Sequence, residues 1–133
     1  MDIQQLKDKI ADGTAKNRDV AEALLPKINH DFTEDYLGTC FTNECYQHPS
    51  GYVVEVAQDD WKLPRYLTRT EDALMLVPEG YRVNDLNNLY CMETGNDWVV
   101  QLILPFTDSE PKEAHHKDLA TAIVLAVLEI KGK

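Results

Sequence analysis

Near the C-terminal end of the chain, Leu119, Ala122, Ile123, Ala126, Val127 and Ile130 recur at helical spacing. Val124, Leu125 and Leu128 spread the apolar surface further around the same cylinder. A surface helix keeps one face wet, whereas a helix apolar nearly all round has to be covered on more than one side. Either other elements of the same chain wrap it or a second subunit does, and the second case predicts a homo-oligomer. A bilayer is not the cover. The longest uninterrupted apolar run, Ala122 to Leu128, falls far short of the roughly 20 residues that span one.

The chain has 133 residues, the usual size of one domain and enough to bury a core without disulfides or metals. Hydrophobic residues make up 44% and charged residues 27%, a globular balance. A single domain over residues 1–133 is expected. The start, Met1-Asp2-Ile3, soon alternates charges, unlike a signal peptide. That predicts a cytoplasmic protein. The three cysteines, Cys40, Cys45 and Cys91, are then expected to be reduced rather than paired.

Upstream of the apolar helix, local signals predict an order of elements. Ile3, Leu6 and Ile10 suit a first helix, with Gly13 at its C′ position. Asn17 suits the N-cap of a second, whose stripe is Val20, Ala21, Leu24, Leu25 and Ile28, with Pro26 ending or kinking it. Phe41, Thr42, Cys45 and Tyr46, then Tyr52 to Val56, read as a hairpin turning at His48-Pro49-Ser50-Gly51. Thr68-Arg69-Thr70-Glu71 has the spacing of a capping box opening a short helix with Ala73, Leu74 and Val77 inside, closed by Pro78-Glu79-Gly80. Three strands follow as a meander: Tyr81–Val83, Leu89–Met92 and Trp98–Leu104, with turns at Asp85–Asn88 and Thr94–Asp97. Asp108 or Ser109 is expected to cap the last helix, with Pro111 in its first turn.

The run from Pro64 to Tyr81, Pro-Arg-Tyr-Leu-Thr-Arg-Thr-Glu-Asp-Ala-Leu-Met-Leu-Val-Pro-Glu-Gly-Tyr, resembles the central signature of phage ABA-sandwich proteins. A Tyr and a Ser/Thr-type cap open a short helix rich in Asp and Ala, closed by Leu-Val-Pro-Glu-Gly-aromatic. Ile10 to Leu24 is similar to the family's first helix, tight loop and Ala-rich second helix, and Leu119 to Leu128 to its C-terminal helix. Together these matches cover about two-thirds of the chain in the family's order; Thr39 to Asp60 departs from it. The resemblance implies an α+β fold with helices packed on a small antiparallel sheet, an α-β-α sandwich, and a phage or prophage source. It implies no activity and supplies no catalytic residue.

The formal net charge of −10 disfavours general binding to nucleic acid. From Ile28 to Trp61 there is no Lys or Arg but seven acids: Asp31, Glu34, Asp35, Glu44, Glu55, Asp59 and Asp60. This stretch reads as a solvated surface or, more sharply, as an acidic face that binds a basic partner or imitates a nucleic acid. Cations follow it at Lys62, Arg65, Arg69 and Arg82, with aromatics at Trp61 and Tyr66. Arg65 and Arg69 suit a phosphate fork, and Trp61 or Tyr66 a base to stack on it, so a small anionic, nucleotide-like ligand is one expectation. The plainer reading places Trp61 and Tyr66 in the core and sets the cations against nearby acids. Cys40-x4-Cys45-x2-His48, with Cys91 as a fourth ligand, is the most metal-like spacing. Buried thiols and a loop histidine are its plainer reading. His115 and His116 beside Glu113 are adjacent, so on a helix they do not share a face. No phosphate-binding glycine loop and no nucleophile spaced for a triad stands out.

These observations predict a non-catalytic binding protein with a protein partner. The alternatives are a binder that sequesters a nucleotide signal of host defence through Trp61–Arg69, and, least supported, a small enzyme. No cofactor is called for.

Overall fold

The protein is described here from a computed structural model, which describes residues 2–29, 33–34, 40–41, 44–55, 63–91, 95–107 and 110–131. Helix α1, Ile3–Asp12, opens on a capping box that the sequence reading missed. Asp2 accepts from the Gln5 N–H at 2.7 Å, and the Gln5 side chain accepts from the Asp2 N–H at 3.2 Å. Gly13 ends α1 at φ 81°, the left-handed conformation that a residue without Cβ adopts at little cost.

Helix α2, Asn17–Leu24, differs from expectation at its start and ends just before Pro26 as expected. Asn17 is the first helical residue, not the cap. Its side-chain oxygen accepts the Leu67 N–H at 3.3 Å, and Lys16 precedes the helix with its N–H on Asp19. Pro26 stops α2, so Ile28 belongs to strand β1, Lys27–Asn29, and not to the helical stripe. β2, Thr33–Glu34, pairs with β3, Cys40–Phe41. The expected hairpin forms from β4, Glu44–Gln47, and β5, Val53–Glu55, turning through His48–Gly51. Phe41 is not part of it, and Thr42 lies outside the described residues. β1 adds to β4 to complete a sheet of order β1-β4-β5.

Helix α3, Thr70–Leu74, forms without the expected capping box. The Thr68 N–H is engaged with the Arg65 carbonyl in a preceding turn. It is Asp72, not Glu71, that reaches back, accepting the Arg65 N–H at 2.8 Å.

The expected turn at Asp85–Asn88 is absent, and Arg82–Cys91 is one ten-residue strand, β6. A bulge between Val83 and Asp85 absorbs a residue. The turn-forming asparagines are tolerated because they stand exposed on an edge, where the strand has no tightly packed neighbours to satisfy. β7, Gly95–Ile103, pairs with β6 from Arg82↔Ile103 to Cys91↔Gly95, and Pro105 follows its end.

The segment before the last helix is corrected too. Lys112–His116 is a strand, β8, paired with β7 in a sheet of order β6-β7-β8. Its period is two: Ala114 is buried while Glu113 and His115 are exposed. Asp108 and Ser109 lie outside the described residues.

The apolar helix, α4, runs Leu119–Lys131 and buries Ala120–Val124 and Ala126–Leu128. It packs against β7, β8, α3, α1 and α2, so its cover comes from its own chain. A second subunit is not required to wet-proof it, contrary to one branch of the sequence reading. The α+β class is as expected: among the described residues, four helices pack with small antiparallel sheets. No helix among the described residues is long and apolar enough to cross a membrane.

Candidate functional site

The centre of the candidate site is a buried histidine. His48 ends β4 and begins the hairpin turn, with its backbone N–H donating to the Tyr52 carbonyl at 2.8 Å. The same carbonyl lies 3.0 Å from ring Nδ1. A carbonyl only accepts, so Nδ1 carries the proton and Nε2 presents a lone pair. Tyr66 fills that lone pair, its hydroxyl donating to Nε2 at 2.7 Å. His48 is 2% exposed and Tyr66 fully buried. Burial holds the His48 pKa below its usual value, with the Tyr52 bond and the charge of Asp72 opposing. Burial, then Asp72, pushes the Tyr66 phenol well above its usual range. At neutral pH the pair is therefore an uncharged, saturated joint between the β4–β5 hairpin and the turn before α3.

In front of this joint lies an open cleft of about 380 Å³ where the ends of four elements meet. The end of α2 contributes Leu24, Leu25 and Pro26; the hairpin contributes Gln47, His48, Pro49 and Gly51. The loop after α3 adds Pro78 and Glu79, and α4 adds Lys131. Three prolines hold fixed φ and no backbone N–H, giving a rigid wall of mixed polar and apolar surface. Glu79 and Lys131, both charged and exposed, supply one anion and one cation at its border. Gly80, beside Glu79, sits at φ 91°, and a Cβ there would come 3.1 Å from Leu104. Its missing side chain therefore lets this border fold back on the end of β7. The lining holds no Ser, Thr, Tyr or Cys side chain, and both ring nitrogens of His48 are engaged.

Of the described residues singled out from sequence for an anionic ligand, none lines this cleft. Trp61 and Lys62 lie outside the described residues. Arg65 is exposed, with its backbone N–H on Asp72. Tyr66 is core, as the plainer reading has it: its ring is enclosed and its hydroxyl committed to His48, so it offers no face to a base. Arg69 is exposed and paired with Glu71 at 3.1 Å. Arg82 is exposed at the first position of β6.

The residues of the metal-like spacing belong to different elements. Cys40 is in β3, Cys91 ends β6, Cys45 is buried in β4, and His48 spends both ring nitrogens on protein partners. Among the described residues no three His, Cys, Asp or Glu side chains are grouped to hold a metal. His115 bonds Glu113 at 2.7 Å along β8. His116 accepts the Asp118 N–H at 2.9 Å, beside a second cleft of about 210 Å³ between Gly13, Leu67 and Thr121.

Sequence reasoning missed the role of Gln47, Glu79 and Lys131. The available signal was that Pro26, Pro49 and Pro78 each punctuate an element, without any indication that these ends converge. No protein-family model, no curated protein and no solved structure matches this chain, so the cleft is interpreted from its own residues.

Proposed function

We propose that this chain is a non-catalytic binding protein that receives a segment of a protein partner in the cleft between Pro26, Pro49 and Pro78. The observation that carries this reading is the cleft's chemistry: a wall of mixed polar and apolar surface stiffened by three prolines, one carboxylate, one ammonium, and a histidine with both ring nitrogens engaged. Such a lining offers recognition by shape and by one charge of each sign. A pre-formed wall also lowers the ordering cost of binding. A role as a phage or prophage accessory protein in the host cytoplasm is what the resemblance to phage ABA-sandwich proteins implies, and it belongs to this proposal.

The test is affinity capture from the natural host with the wild-type chain and with Glu79→Lys/Lys131→Glu, which exchanges the border charges. A stoichiometric protein recovered by the wild type and lost by the double variant supports the reading. Equal recovery by both, or no partner at all, overturns it.

A further inference from the structure

Among the described residues, Phe106 is the one residue other than glycine with a positive φ, at 63°. For a bulky side chain this is an outlier, because Cβ crowds the backbone there. The same residue is fully exposed, at 101%, so the fold gains no burial in return for the strain. It stands in the turn after β7, directly behind Pro105. Glycine or asparagine is the usual occupant of a positive-φ turn position that follows a proline. One exposed aromatic ring is ordinary, and so is one small backbone cost. Here both fall on a single residue, and glycine at that position would remove both at once. The turn is also stiff. Pro105 has a fixed φ, and the Thr107 hydroxyl donates to the Leu104 carbonyl at 2.7 Å. Leu104 packs at Gly80, whose Cβ would lie 3.1 Å from it. Gly80 adjoins Glu79, the carboxylate at the border of the cleft. Leu104 therefore links the turn that carries the ring to the border of the cleft.

We infer that Phe106 is the aromatic anchor of the docking surface, inserting its ring into an apolar pocket of the same protein partner whose segment enters the cleft. The inference rests on the reading of the cleft as a docking site and extends it to a second contact. Backbone strain kept without an internal gain is a feature of binding sites. A ring held on a stiff turn loses little freedom when it is buried by a partner, and aromatic residues are enriched at the cores of protein interfaces. A buried phenylalanine removes about 150–250 Å² from water, well short of a stable interface, so the ring works with the cleft and not alone. A bilayer suits the ring less well than a protein does. One short apolar group is a marginal membrane anchor, and a chain of formal charge −10 is repelled by anionic lipid.

Two substitutions separate the ring from the strain. Phe106→Ala removes the ring and keeps a Cβ at positive φ, whereas Phe106→Gly removes both. Phe106→Ala should melt within about 2 °C of the wild type, and Phe106→Gly about 2–5 °C above Phe106→Ala. A clear fall in Phe106→Ala would make the ring part of the fold, and Phe106→Gly melting no higher than Phe106→Ala would remove the strain; either result overturns the inference without any partner in hand. Both variants should bind the protein captured by the wild type at least about 10-fold more weakly. With p-benzoylphenylalanine at position 106, irradiation in the host lysate should crosslink that same protein through an apolar segment. If Glu79→Lys/Lys131→Glu loses the partner while both Phe106 variants keep it, or no crosslink to it forms, the anchor is overturned and the cleft reading stands. Failure of the wild type to capture any partner overturns the cleft reading and the anchor with it. Co-sedimentation of the wild type, but not Phe106→Gly, with phosphatidylcholine vesicles would assign the ring to a membrane and overturn the proposal.

Discussion

Tyr66 and His48 show how one bond sets two ionisation states. Removing the hydroxyl in Tyr66→Phe keeps the ring but leaves a buried Nε2 lone pair without a donor. The expected cost is about 1–3 kcal/mol, read from urea denaturation, with the native spectrum unchanged. The direction of the His48 shift also has a pH consequence. Its folded pKa lies below 6.5, so below that value the unfolded chain takes up a proton that the native joint resists. The stabilisation is complete above the unfolded value and is lost as pH falls through the folded one. Melting temperature should therefore drop between about pH 7 and pH 5, and drop less steeply in His48→Gln. An equal slope in both proteins would place the acid sensitivity elsewhere.

At the scale of elements, α4 carries the most buried residues of the described helices. Ile123 is fully buried, whereas Leu125 is half-buried. Ile123→Ala should cost about 2–5 kcal/mol and Leu125→Ala clearly less, measured as shifts in the denaturation midpoint. Gly80→Ala faces both the positive φ and Leu104, and should cost more than about 1 kcal/mol. Elements with strong local periodicity were legible in the sequence: α1 with Gly13, the stop at Pro26, the hairpin turn at His48–Gly51, and the apolar part of α4. β6 was not, because asparagines and an aspartate that signal a turn are also tolerated along an exposed edge. β8 was not, because Pro111 ahead of an apolar helix looks like its first turn, and tertiary pairing with β7 decided otherwise. The cleft was the least legible feature. Its walls come from element ends far apart in the chain, and no local pattern reports convergence. Tyr66 was read both ways, and only its enclosure and its partner separate the two.

The molecule as a whole carries a charge of −10, and its described ion pairs are largely exposed. Exposed pairs contribute little and weaken with salt, while self-repulsion also weakens with salt. The second effect should dominate here, so added sodium chloride is expected to raise the melting temperature; a fall would mean that the surface pairs matter more than the net charge.

The position of α4 in the chain has a consequence for synthesis. The helix that touches α1, α2, α3, β7 and β8 is the last of these elements to be made. Until it leaves the ribosome, the faces it will cover stay open, and the core cannot close one element at a time. A chain stopped before Leu119 should therefore behave as a protease-sensitive, non-cooperative polypeptide, while its acidic charge helps keep it dispersed during the wait.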